Sequence, residues 1–329
     1  MATTMDIQAD TTTRSPRRPN TLGVHSLDRF VFSVPDLGAA ERFYGAFGLD
    51  ARRDGNRLDL YAHGHPHCWG SVHANGQPKR LQYLSFGAYE EDFEPLARRI
   101  RALGTCDPHP LSDGKGIWLR DPDGTPVQVI AAPKVSPSVK AKPAVAPPVA
   151  AGKGAAPSRS GAPRVRPRRL AHVLLFTPDV PRQIAFHSDV LGLRLSDRSG
   201  DIIAFMHAPH ASEHHLVAFA KSGAPGLHHS SWDVASIDEV GLGMQQMIDA
   251  GHTHGWGVGR HVLGSNYFHY VRDPWGSFAE YSYDIDFIPA DLDWQAKDHA
   301  PEDSFYVWGP PVPDDFITNH ESAARRAAA

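Results

Sequence analysis

The chain has 329 residues, 41% of them hydrophobic and 21% charged, with a formal net charge of −4. That length gives room for two domains of ordinary globular composition, and the charge leaves no electrostatic footprint for nucleic acid or an anionic membrane. No apolar run is long enough to span a bilayer, and two cysteines, Cys68 and Cys106, argue against a disulfide framework and for a reducing cytoplasm.

Residues 1–22 open with "MATTMDIQADTTTRSPRRPN", rich in Thr, Pro and Arg and without the apolar core of a signal peptide, and read as a disordered tail. From Asp28, "DRFVFSVPDLGAAERFYGAFGLDAR" reads as a strand, a Pro-Asp turn, a helix and a Gly-Leu exit. "RLQYLSFGA" from Arg80 is a further strand, and "WLRDPDGTPVQVIAA" at 118–132 a hairpin closing the first domain, 23–131. Residues 132–168 are Pro, Ala, Lys and Gly without an apolar period, which predicts an extended linker. The second domain, 169–290, repeats the first. "AHVLLFTPDVPRQIAFHSDVLGLRL" from Ala171 matches the opening strand and helix, with Asp179 as helix cap and Gly192 as exit. "GLHHSSWDVA" from Gly226 matches the strand at Arg80. A helix over 236–251 follows, with Ser236 and Glu239 as a capping box and Gly251 as its stop. "YVRDPWGSFAEYSYD" at 270–284 is the second closing hairpin. Residues 291–329 form a Pro- and aromatic-rich C-terminal extension. The predicted fold class is α+β: two domains, each a pair of βαβββ modules curled into an open barrel-like sheet, with the modules' first strands facing each other across a cleft.

The two copies keep their turns and differ in their chemistry. Seven residues past the Asp of each Arg-Asp-Pro-x-Gly turn stands Gln128 in the first half and Glu280 in the second. The opening strands carry Arg29 against His172, and the middle strands Tyr83 against His229, with His228 as the alternative. Two neutral imidazoles and a carboxylate form a three-point face for a divalent metal with positions left open; an Arg, a Tyr and an amide do not. Singly, each of these is more often a core or solvated strand residue. Together they occupy matched positions, and a buried Glu280 needs a counter-charge.

Through His172 in "AHVLLF", His229 in "LHHSSW" and Glu280 in "FAEY", the second half resembles the catalytic half of type I extradiol ring-cleavage dioxygenases of the vicinal oxygen chelate superfamily. The resemblance covers residues 23–290 and implies that fold, with a metal-free first half. It also implies roles residue by residue. His215 in "EHHLVAF" matches the acid–base histidine, with His214 as the alternative; Tyr270 and His261 match positions that contact substrate oxygens. Phe205 in "AFMH" stands where an aromatic meets the substrate ring, or is plain core. His207 and Arg260 are candidates for a polar substituent, and His207 and His210 read equally well as a solvated loop. Trp308 of the extension is a candidate lid residue or a subunit contact.

The expected activity is therefore O2-dependent opening of a catechol ring beside its two hydroxyls at Fe(II), with Mn(II) as the alternative ion. The rival readings are a glyoxalase-like isomerase, a thiol transferase and a non-catalytic aromatic-binding protein. The family further implies a homodimer or homotetramer, here in the cytoplasm.

Overall fold

The computed structural model describes residues 16–144 and 148–322. The first half contains β1 (Ser26–Val34), α1 (Leu37–Phe47), β2 (Asp50–Asp54), β3 (Arg57–Tyr61), β4 (Cys68–Ala74), β5 (Arg80–Ala88), α2 (Glu90–Leu103), β6 (Ile117–Arg120) and β7 (Pro126–Ala131). The second contains β8 (Arg169–Thr177), α3 (Val180–Leu191), β9 (Arg194–Ser199), β10 (Ile203–His207), β11 (Ser212–Glu213), β12 (Val217–Lys221), β13 (Gly226–Asp233), α4 (Ile237–Asp249), β14 (Gly255–His261), β15 (Tyr267–Arg272) and β16 (Phe278–Tyr283). Short strands β17 (Phe287–Ile288), β18 (Lys297–Asp298) and β19 (Tyr306–Trp308) follow.

Among the described residues the strands form a sheet ordered β2-β3-β4-β1-β5-β7-β6 and another ordered β18-β9-β10-β12-β8-β13-β16-β15-β14-β19. Two expectations need correction. The modules' first strands do not face one another across a cleft: β1 pairs antiparallel with β5, and β8 with β13, as hydrogen-bonded neighbours. The module at 80–131 also has no strand between α2 and β6, so it is βαββ rather than βαβββ. Residues 105–116 there carry four Pro or Gly and several polar residues, which favour turns over a ladder.

Local chemistry sets the helices. Asp36 Oδ1 accepts from Gly38 N and Ala39 N at the start of α1, and Asp179 caps α3 through Arg182 N at 3.0 Å. Gly192, at φ 75°, takes the left-handed exit of α3 that a side chain would oppose. Helix α1 buries Leu37, Ala40, Phe43, Tyr44 and Phe47, a helical period on one face. That face joins a core shared by both halves. Phe47 stacks on Tyr281 at 3.9 Å, Tyr281 donates to Phe47 O, and Phe30 meets Trp232 edge-on at 6.4 Å. Gly243 of α4 lets Tyr281 lie against the helix, since a Cβ there would come within 2.8 Å of the ring.

Polar contacts also cross between halves. Lys79 forms a fully buried ion pair with Asp273, and Gln183 of α3 donates to Asp121 and Asp123. The repeated Asp of each turn thus engages the opposite half. Glu321 accepts from Leu81 N and Leu227 N, at the starts of β5 and β13. The described residues from 132 to 168 include no strand or α-helix but are strapped down: Lys140 pairs with Asp284 at 2.8 Å, and Val165 is buried with its N donating to Gln246. Residues 1–15 lie outside the described residues; beyond them Arg17 pairs with Asp92 and Arg18 with Asp293, each at 2.6 Å.

Candidate metal centre

His172, His229 and Glu280 stand on three consecutive strands of the second sheet, β8, β13 and β16. Register aligns them: Ser231 of β13 pairs with His172 on one side and with Glu280 on the other. His229 lies two residues before Ser231, on the same face. A β-bulge sits beside it, since Leu227 pairs with Leu175 and His229 with Leu174, leaving His228 unpaired.

The ligand atoms converge. His229 Nε2 lies 3.3 Å from His172 Nε2, and Glu280 Oε2 lies 3.4 Å and 3.5 Å from the two. All three side chains are buried, and Glu280 Oε2 has no hydrogen-bond partner. A carboxylate oxygen without a donor is costly to bury, so the triangle fits a cation that the three atoms face together. The other atoms of the set are held from behind. Glu280 Oε1 accepts from Asn266 Nδ2 at 3.1 Å. His228 Nε2 contacts Phe316 O at 2.8 Å, and a carbonyl can only accept, so that nitrogen carries the proton. His228 Nδ1 then accepts from His229 Nδ1–H at 2.7 Å, which leaves the His229 Nε2 lone pair for a metal.

A second histidine pair follows the same logic. His214 Nε2–H donates to Asp197 Oδ2 at 2.9 Å, and the two Nδ1 atoms of His214 and His215 meet at 3.0 Å. Of the two Nδ1 atoms one donates and the other accepts; where His215 Nδ1–H is the donor, His215 Nε2 is a free base. The His215 ring lies 4.0 Å from that of His172 and 4.8 Å from that of Phe205, so His215, not His214, borders the triad. Opposite, His261 Nδ1–H donates to Phe305 O, so His261 Nε2 accepts from the Tyr270 hydroxyl at 2.9 Å.

Electrostatics favours the charge state that metal binding needs. Burial, aided by neighbouring imidazoles, holds His215 and His229 well below the ordinary histidine value. Burial also lowers His261 and lifts Tyr270 well above the ordinary phenol value, where the Glu280 charge adds to it. Burial opposes ionisation of Glu280, but hydrogen bonding and charge from His172, then His261, outweigh it and hold this carboxyl below its usual range. Neutral imidazoles and an ionised carboxylate are the ligand forms a divalent cation takes.

The triad opens into a cavity of about 80 Å³ bordered by His215, His261, Tyr270 and Phe205. Three sequence-predicted contacts lie elsewhere. His207 is buried behind the sheet against Ser196 Oγ at 2.7 Å, and His210 is likewise buried rather than in a solvated loop. Arg260 turns to Ser265 O and lies over the Tyr267 ring. Trp308 is 46% exposed on the edge strand β19 and does not line the cavity. From the extension it is Phe305, Phe316 and Ile317 that cover the cavity. These and Asn266 were not anticipated: the extension has no apolar period, and an Asn four residues before Tyr270 carries no signal until the strands pair.

Residues 169–281 match the Glyoxalase/Bleomycin resistance protein/Dioxygenase superfamily. Metapyrocatechase 2 of Cupriavidus necator is 52% identical over 302 residues, 91% of this chain and 93% of its own. Among solved structures, a variant of homoprotocatechuate 2,3-dioxygenase from Brevibacterium fuscum superposes with a TM-score of 0.72 at 18% identity, over 93% of this chain and 85% of its own. A Mn(II)-bound glyoxalase from Novosphingobium aromaticivorans superposes at 0.68 and 23% identity, over 91% and 99%. At such identities these two speak for the fold.

Proposed function

Because this chain belongs to the type I extradiol ring-cleavage dioxygenases of the vicinal oxygen chelate superfamily, we propose that His172, His229 and Glu280 hold one Fe(II) ion at its catalytic centre. The enzyme opens catechol rings beside the two hydroxyls with O2, as an enzyme of aromatic catabolism. The observation that carries the metal assignment is the buried triangle of three ligand atoms, 3.3–3.5 Å apart, around an unpartnered carboxylate oxygen. Bound there, a ferrous ion supplies a template for the catecholate and O2 and an electron path between them.

The chain's own groups do the rest. His215 Nε2 accepts a proton from a substrate hydroxyl and returns it as the ring opens, because its Nδ1 proton is already committed to His214. The depressed basicity of His215 suits that return. The Tyr270 hydroxyl turns its proton from His261 Nε2 to a substrate oxygen and steadies the charge there. Phe205 offers an aromatic face to the substrate ring, and Phe305 and Phe316 exclude water. Mn(II) suits the same donor set, so metal identity is read by elemental analysis of the purified protein and by activity after reconstitution with each ion. Iron-loaded protein should consume O2 and form a yellow product from catechols; well-loaded protein that does neither with a panel of alkyl-, aryl- and carboxy-catechols overturns the reading. No helix of the described residues is long and apolar enough to cross a membrane. A cytoplasmic homodimer or homotetramer completes the proposal, and light scattering on the full chain checks its size.

A further inference from the structure

The metal-free half has a cleft of its own, larger than that of the metal centre: about 510 Å³ against about 80 Å³. Its polar floor is built in the register of the metal triad. In the second sheet the row is His172, Ser231, Glu280; in the first, Arg29 pairs with Ser85, and Ser85 with Gln128. Tyr83 pairs with Val31 as His229 pairs with Leu174. Duplication thus placed a guanidinium, a phenol and an amide on one face of the cleft.

Not all of these groups have hydrogen-bond partners, although the Asp28 and Asp59 charges act on Arg29. Among the described residues Arg29 makes no hydrogen bond and no ion pair, and the Tyr83 hydroxyl makes no hydrogen bond. Ser85, between Arg29 and Gln128, is 1% exposed with an unpartnered Oγ. Gln128 Nε2 donates to Lys115 O at 3.0 Å, which leaves its Oε1 as an acceptor. The other cationic groups of the cleft are matched, Lys115 with Asp113 at 3.2 Å and Arg57 with Asp59 at 3.1 Å, while Asp28 feels the charge of Arg29. Phe93, Leu111 and Ile130 give the cleft an apolar wall, and Trp118 lies against Tyr83 at 5.0 Å.

We propose that this cleft is a second ligand site, for a hydroxylated aromatic carboxylate. The Arg29 fork and the Tyr83 hydroxyl receive the carboxylate, Gln128 Oε1 accepts from the ligand hydroxyl, and the ring lies on the apolar wall. The pocket is distinct from the metal centre and does not depend on it.

The test is calorimetric titration of the full chain with 4-hydroxybenzoate. One binding event is expected, absent with phenol, which lacks the carboxylate. Arg29→Met should abolish it, and Tyr83→Phe, which keeps the ring against Trp118, should weaken it about tenfold. Glu280→Ala, a change confined to the other cleft, should leave it intact. No event with wild type at millimolar ligand, equal binding by Tyr83→Phe, or loss in Glu280→Ala would each overturn the proposal. The last outcome would place the ligand at the metal centre instead.

Discussion

At the scale of single residues, two side chains with neighbouring positions have separable tasks. Glu280→Ala removes the only carboxylate of the triad, and the expected result is loss of bound metal and of turnover with the fold retained. Metal analysis and circular dichroism read the two parts separately. His215→Asn leaves the triad whole. It should bind metal and catechol as before while turnover falls about 10²- to 10⁴-fold, the usual worth of a positioned acid–base group. If that variant loses its metal, His215 is a ligand and the roles must be reassigned.

At the scale of elements, the extension and the bulge act as one unit. Phe316 packs on His228 at 4.8 Å and on Tyr270 at 4.9 Å, while its carbonyl fixes the His228 tautomer. Phe316→Ala should therefore reduce stability by about 3–5 kcal/mol, as for other buried Phe, and raise KM more than it lowers kcat. A denaturant curve with steady-state kinetics checks both. The repeated strands, helices and turns were legible in the sequence because caps, Pro-Asp turns and alternation all agree there, as at Asp36, Asp179 and Gly192. The triad was legible because a duplicate with Arg29, Tyr83 and Gln128 stood beside it for contrast. The cavity roof was not. Phe305 and Phe316 come from a segment without an apolar period, whose short strands take shape only by pairing with distant ones, and Arg260 and Trp308 pair with each other on the β14 edge instead of entering the site.

At the scale of the whole molecule, two features govern stability. Lys79 and Asp273 are buried together between the halves, and Asp273 also accepts from Trp275 N and Ser277 N. Lys79→Met strands that carboxylate and should reduce stability by about 3–5 kcal/mol, read by chemical denaturation. The second feature is buried imidazole. Burial lowers His25, His187, His210, His228 and His269 to about 4, and His207 to about 3. Below the ordinary value of about 6.5 the unfolded chain binds protons that the folded chain refuses, so stability is full above that pH and is lost as pH falls beneath it. Each such group withdraws about 1.4 kcal/mol per pH unit. The melting temperature should fall steeply between pH 6 and 5; an unchanged Tm at pH 5 would contradict the burial of these rings.

The stacking of Phe47 on Tyr281 has an evolutionary consequence. Were the first copy deleted, the surviving copy would turn two large aromatic faces, Tyr281 and Trp232, toward water. A duplicate without the His-His-Glu set is thus kept in the gene by the company its aromatic side chains provide, whatever else its own cleft does.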